Sequence, residues 1–159
     1  MIDIIIPAYN AHKTIEQTLF SIVYQELRKK IKVYLINDCS ENGYKDIVTY
    51  FSNFIDIIEL KLDANRGPGY ARQYGIEHSY GDYIVFMDAD DVLSNCYAIK
   101  DLYNEIERLE CDVLISNFVE EVNQKFLLRT KDTIWCHGKM YKRKFLQKYN
   151  LSLAIPIKL

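Results

Sequence analysis

The sequence contains no apolar run near the ~18 residues that a membrane span requires, which argues against a transmembrane segment and leaves peripheral membrane contact open. Its start, Met1-Ile2-Asp3, lacks a basic leader ahead of an apolar stretch, so no secretory signal is expected. Its four cysteines, Cys39, Cys96, Cys111 and Cys136, are scattered and form no C-x-x-C pair. That argues against a disulfide-stapled scaffold and for a reduced, cytoplasmic setting. Proline (3) and glycine (6) are too few to build a linker, and no repeat or low-complexity tract divides the chain. Neither a dinucleotide fingerprint nor a Walker loop is present, which demotes dehydrogenase and P-loop readings. What remains is 159 residues, 49% hydrophobic and 26% charged, enough for one globular domain and too few for two catalytic ones.

Acidic residues are also absent after Asp132. Residues 1–123 carry 11 Lys and Arg against 21 Asp and Glu, whereas residues 124–159 carry 9 against one. The basic end reads either as a solvated face or as a surface for anions. Nucleic acid is a poor fit, because the body of the chain is acidic.

Strand and helix patterns alternate along the chain. Short apolar runs at Asp3-Ile4-Ile5-Ile6, Ile31 to Ile36, Phe54 to Leu62 and Asp82 to Met87 read as strands. Helical stripes are expected from Ala11 to about Leu27, from Tyr44 to Phe51, from Gly67 to about Ile76, and through Ile99, Leu102, Ile106 and Leu109. Further strands are expected at Asp112 to Val119 and Lys125 to Arg129, then a last helix from Tyr141 to Tyr149. Such alternation predicts an α/β fold, a mainly parallel sheet with helices on both faces.

Ligands of open α/β sheets bind at the carboxyl ends of the strands. Tyr9 and Asn10 follow the first strand, Asp38 the second, Asn65 the third, and Asp88, Asp90 and Asp91 the fourth. Phe86-Met87-Asp88-Ala89-Asp90-Asp91 is the sharpest of these motifs. An extended backbone would point Asp88 and Asp90 the same way. Carboxylates so close repel unless a cation separates them, and magnesium or manganese would suit such oxygens. The plainer reading is a helix-capping turn. In Asn65-Arg66-Gly67-Pro68-Gly69-Tyr70-Ala71-Arg72, glycines precede a helix whose N-terminus favours phosphate, and Arg72 could pair with it. Asp38 could accept from the imide N–H of a pyrimidine while Tyr9 offers a stacking face. Taken singly, an N-cap and a core aromatic are the more ordinary readings of these two.

Together these segments resemble the N-terminal half of a family 2 glycosyltransferase of the GT-A fold. The likeness rests on Ile4-Ile5-Ile6-Pro7-Ala8-Tyr9-Asn10, Ile36-Asn37-Asp38-Cys39-Ser40, the Asn65–Arg72 segment and the Asp88–Asp91 cluster. It extends to Trp135-Cys136-His137-Gly138-Lys139-Met140-Tyr141-Lys142-Arg143-Lys144-Phe145-Leu146. The resemblance implies transfer of a sugar from a nucleotide-diphosphate donor, with uridine the expected base, to a carbohydrate acceptor with help from Mn or Mg. It implies nucleotide contacts from Pro7, Tyr9, Asn10, Asp38, Asn65, Gly67, Arg72 and Asp88. Asp88, Asp90 and His137 would meet the metal, and Lys139 a phosphate or the metal. The family's inverting members use a carboxylate base downstream of the Gly-Lys-x-Tyr stretch, where this sequence has none. Asp112, Glu120 and Glu121 are stand-ins by charge alone. The expectation is therefore one GT-A-like donor-binding domain, residues 1–159, ending before the acceptor and base segment. The alternative is a fragment that binds nucleotide-sugar without turnover. A nucleotidyltransferase is disfavoured, because Pro7-Ala8-Tyr9-Asn10 is not a Gly-rich, Arg-containing loop.

Overall fold

The computed structural model describes residues 1–130 and 136–149. Trp135, Asp132 and residues 150–159, used above, lie outside the described residues. Strand β1 (Ile2–Ala8) is the centre of the molecule, and all seven of its residues are buried. The period-two alternation of a strand sends Ile2, Ile4, Ile6 and Ala8 into one core and Ile5 into the other. Burial of each isoleucine side chain is worth about 1.5–3 kcal/mol, so the Ile4-Ile5-Ile6 run holds both layers to one strand.

The chain continues through α1 (Ile15–Val23), β2 (Ile31–Asn37), α2 (Lys45–Phe51), β3 (Asp56–Lys61), α3 (Gly67–His78) and β4 (Tyr83–Phe86). Then come α4 (Ala98–Arg108), β5 (Val113–Ile115), β6 (Phe118–Val122), β7 (Lys125–Arg129), β8 (Lys139–Lys142) and α5 (Arg143–Lys148). Six strands form one sheet in the order β3-β2-β1-β4-β8-β5. The first four are parallel, and β8 runs antiparallel between β4 and β5. Ile15, Leu19 and Ile22 of α1 and Ile99 and Ile106 of α4 cover one face. Ala71 of α3 and Leu146 of α5 cover the other. Helices on both faces of a mainly parallel sheet are thus observed. Gly75 lets α3 lie close on β1, because a Cβ there would come within 2.4 Å of Ile5.

Two expected elements differ. Tyr141 and Lys142, expected to begin the last helix, belong instead to strand Lys139–Lys142, because its backbone pairs with Tyr83–Val85 on one side and Val113–Ile115 on the other. The expected strand from Asp112 to Val119 breaks at Ser116-Asn117. Its second part instead pairs with β7 as a separate two-stranded hairpin. The basic end is also less superficial than its charge suggests. Lys139 is buried, and Arg143 enters the interior beside Asp3. The Arg143 Nη2 donates to Asp3 Oδ2 at 2.9 Å and to Ser79 Oγ at 2.6 Å, while Nη1 donates to the Ile76 carbonyl at 2.9 Å. This pair ties α5 to the amino end of β1, opposite the edge where β1 and β4 deliver their polar residues.

Candidate active site

The chain places β2 and β3 on one side of β1 and β4 on the other, so its strand order reverses next to β1. At the carboxyl end of that junction lies a cleft of about 370 Å³. Pro7, Tyr9, Ala11 and Thr14 form one wall, Pro68 and Arg72 of α3 another, and Asp88, Ala89 and Asp90 a third. A volume of this order suits a small-molecule ligand. Tyr9 is 54% exposed, so its ring presents a free face at the cleft rather than packing in the core.

The acidic segment is a turn, not an extended strand end. Asp91 N–H donates to the Asp88 carbonyl at 3.1 Å, and this closure brings the fourth residue back beside the first. Asp90 is exposed and faces the cleft. Asp91 instead joins Asp88 and His137, whose ligand atoms all lie within 4.8 Å of one another. His137 is delivered from across the sheet, because its backbone bridges to Phe86 at the end of β4. Its Nδ1 lies 3.9 Å from Asp88 Oδ2, and its ring meets Phe118 edge-on at 4.7 Å. Asp88 Oδ1 accepts a hydrogen bond from Arg72 Nη2, while Arg72 Nε is buried and has no hydrogen-bond partner among the described residues. Burial, and next the negative charge of Asp88, push the Asp91 carboxyl above the usual carboxylate range. The two carboxylates are oxygen donors that suit manganese or magnesium, whereas the imidazole is a donor of transition-metal ions and favours manganese over magnesium. Asp91 was not singled out as a ligand by sequence, because extended geometry paired Asp88 with Asp90.

Other expected site residues take supporting positions. Asp38 is buried at 3% exposure and accepts backbone N–H donors from Arg66 and Gly67, both at 2.8 Å, one on each oxygen. It therefore occupies the first two amides at the start of α3, where a phosphate was expected. Gly67 sits at φ 81, a conformation that favours glycine, and its N–H also meets Asn65 Oδ1 at 3.2 Å. Asn65 thus stabilises its own turn. Asn10, at φ 51, turns its side chain back to accept from Glu41 N–H at 3.0 Å. Pro7, Tyr9, Arg72, Asp88 and Asp90 line the cleft itself; Asn10, Asp38, Asn65 and Gly67 shape the loops around it.

Comparison with known proteins bears on the family and the fold. Residues 31% identical over 71% of the chain occur in the poly(ribitol-phosphate) beta-N-acetylglucosaminyltransferase TarS of Staphylococcus aureus, of which they span 20%. The glycosyltransferase GlyA of Streptococcus pneumoniae is 30% identical over 74% of the chain and 16% of its own length. Among solved structures, S. aureus TarS 1-349 in complex with UDP superposes on 95% of the chain with a TM-score of 0.84 at 24% identity. The mannosyltransferase PcManGT from Pyrobaculum calidifontis, solved with GDP-Man and Mn2+, covers 93% with a TM-score of 0.75 at 20% identity. The chain spans about half of these two structures, 49% and 46%, and less of the curated relatives. The fold is the GT-A fold of those structures. Residues 3–157 match the model of glycosyl transferase family 2, and the chain belongs to that family.

Proposed function

We propose that the chain is the donor-binding part of a glycosyltransferase, and that the cleft between Tyr9, Arg72 and Asp90 takes a nucleoside diphosphate sugar. The observation that carries this reading is the convergence of an exposed aromatic ring, an arginine and three aspartates at one reversal of strand order. Tyr9 stacks on the base. Arg72, already oriented by Asp88, directs its buried guanidinium toward anionic oxygens at the cleft floor. Asp88, Asp91 and His137 would hold a divalent ion, with Asp90 reaching the same ion from the cleft side. Such an ion, when bound, neutralises the charge that grows on the leaving diphosphate. Uridine is the favoured base, since one neighbour of this fold is solved with UDP. Four free thiols fit a reducing, cytoplasmic setting.

A carbohydrate hydroxyl is the proposed acceptor. The second reading, donor binding without transfer, is kept because the chain spans about half of the solved structures it superposes on. Calorimetry with UDP, with and without manganese, tests the site. The wild type should bind about tenfold more tightly with the ion, a difference of about 1.4 kcal/mol, and Asp91→Ala and Asp90→Ala should lose most of that gain. Equal binding with and without manganese in all three proteins would refute the metal assignment. Release of free sugar or transfer product from UDP-GlcNAc would exclude the binding-only reading.

A further inference from the structure

The cleft wall formed by residues 9–14 is held from behind by a polar relay that never reaches the cleft. Asn10 N–H donates to Ser40 Oγ at 3.0 Å, and the next amide, Ala11 N–H, donates to the Tyr44 hydroxyl at 2.9 Å. Ser40 Oγ and Tyr44 Oη lie 3.2 Å apart, and Ser40 Oγ is 3.4 Å from the Ala8 carbonyl. A carbonyl only accepts, so the Ser40 proton goes to Ala8 and the Tyr44 proton to Ser40. Every proton and every acceptor in the clamp is then assigned. Behind it, Asn37 Oδ1 accepts from Ser40 N–H at 2.8 Å, and Asn37 Nδ2 donates to Glu59 Oε1 at 2.7 Å. The same Glu59 oxygen accepts Tyr44 N–H at 3.2 Å. Tyr44 is fully buried and Ser40 is 4% exposed, so water does not readily replace either hydroxyl.

This relay sustains a conformation that the backbone does not favour. Asn10 at φ 51 follows β1 and Cys39 at φ 61 follows β2, and neither is glycine. The clamp fixes two successive amides immediately after Tyr9, the residue whose ring forms the exposed part of that wall. We infer that Ser40 and Tyr44, backed by Asn37 and Glu59, are positioning residues that set the Tyr9–Ala11 loop and thereby the affinity of the cleft for nucleotide. The inference rests on the reading of the cleft as the donor site. A loop that samples other conformations lowers apparent affinity by the fraction of time it is misplaced.

The test is calorimetric titration with UDP and manganese at a temperature where every variant is fully folded. Tyr44→Phe keeps the ring and removes the clamp hydroxyl; Ser40→Ala removes the other hydroxyl and serves should Tyr44→Phe fold poorly. Tyr83→Phe is the matched control, because its hydroxyl bonds Glu107 at 2.5 Å on an exposed surface and does not line the cleft. Tyr44→Phe and Ser40→Ala should each weaken UDP binding by about tenfold, and Tyr83→Phe should leave it within about twofold. Wild-type UDP affinity in the folded clamp variants would overturn the inference while leaving the donor site intact. Failure of the wild type itself to bind UDP would overturn the donor-site reading and this inference with it.

Discussion

Replacing Asp38 separates a structural role from a ligand-reading one. In the unliganded protein each carboxylate oxygen accepts one backbone N–H, from Arg66 and from Gly67, both at 2.8 Å. Hydrogen bonds to a charged group are worth about 1.5–3 kcal/mol each. Arg66 is exposed and Gly67 keeps the Asn65 oxygen at 3.2 Å, so part of the loss is recovered. Asp38→Ala should therefore cost about 3 kcal/mol, at the lower end of the sum of two charge-assisted bonds. For a domain of this size that corresponds to a fall in Tm of about 6–12 °C. Asp38→Asn keeps one acceptor but points an amide NH2 at the second backbone N–H, and should cost about 2 kcal/mol. Urea denaturation followed by circular dichroism reads the difference as a lower midpoint at unchanged slope. Were Asp38 present only to read a base, the unliganded protein would not notice its loss. A midpoint shift equivalent to less than about 0.5 kcal/mol for Asp38→Ala would refute the reasoning.

Three further outcomes are expected. Arg143→Met should destabilise the protein by about 3–5 kcal/mol in urea, because it strands the buried Asp3 carboxylate, and adding Asp3→Asn should recover part of that loss; an unchanged midpoint would contradict the pair's role. Asp91→Asn, measured with a chelator, should be more stable than wild type at pH 7. Burial and Asp88 raise the Asp91 carboxyl in the folded state, so its proton-linked stability is present below about 3.9 and lost as pH rises through the folded value. The advantage of Asn should accordingly shrink as pH is lowered toward about 4, and a pH-independent difference would argue against it. Cys136 is half-buried and burial pushes its thiol up, whereas Cys96 is exposed. Iodoacetamide at mildly alkaline pH should label Cys96 at least about tenfold faster by mass spectrometry.

The strand ends were legible in the sequence because each apolar run stops at a polar residue, and a sheet that is buried on both faces leaves few other readings for Ile4-Ile5-Ile6 or Ile84-Val85-Phe86. Strand β8 was not legible. Lys139-Met140-Tyr141-Lys142 is four residues long, carries two lysines, and gains its strand conformation from neighbours more than twenty residues away. The Asp88–Asp91 turn was hidden for a local reason: one carbonyl–amide bond decides whether Asp90 or Asp91 returns to Asp88. Asp3 with Arg143, and Glu59 with Asn37 and Tyr44, are contacts of folded neighbours with no sequence motif. Asp38 was identified as a site residue from the end of its strand, but its pairing with the Arg66–Gly67 amides depends on how β2 and α3 meet.

Binding of nucleotide at the β1–β4 junction can be read by amide chemical-shift mapping during titration with UDP and manganese. Shifts should concentrate at Tyr9 to Thr14, Gly69 to Arg72 and Met87 to Asp91, with His137 responding to the metal. Shifts centred instead on the groove between Glu16, Phe20, Asp46 and Tyr50 on the α1–α2 side, or no shifts at saturating UDP, would contradict it.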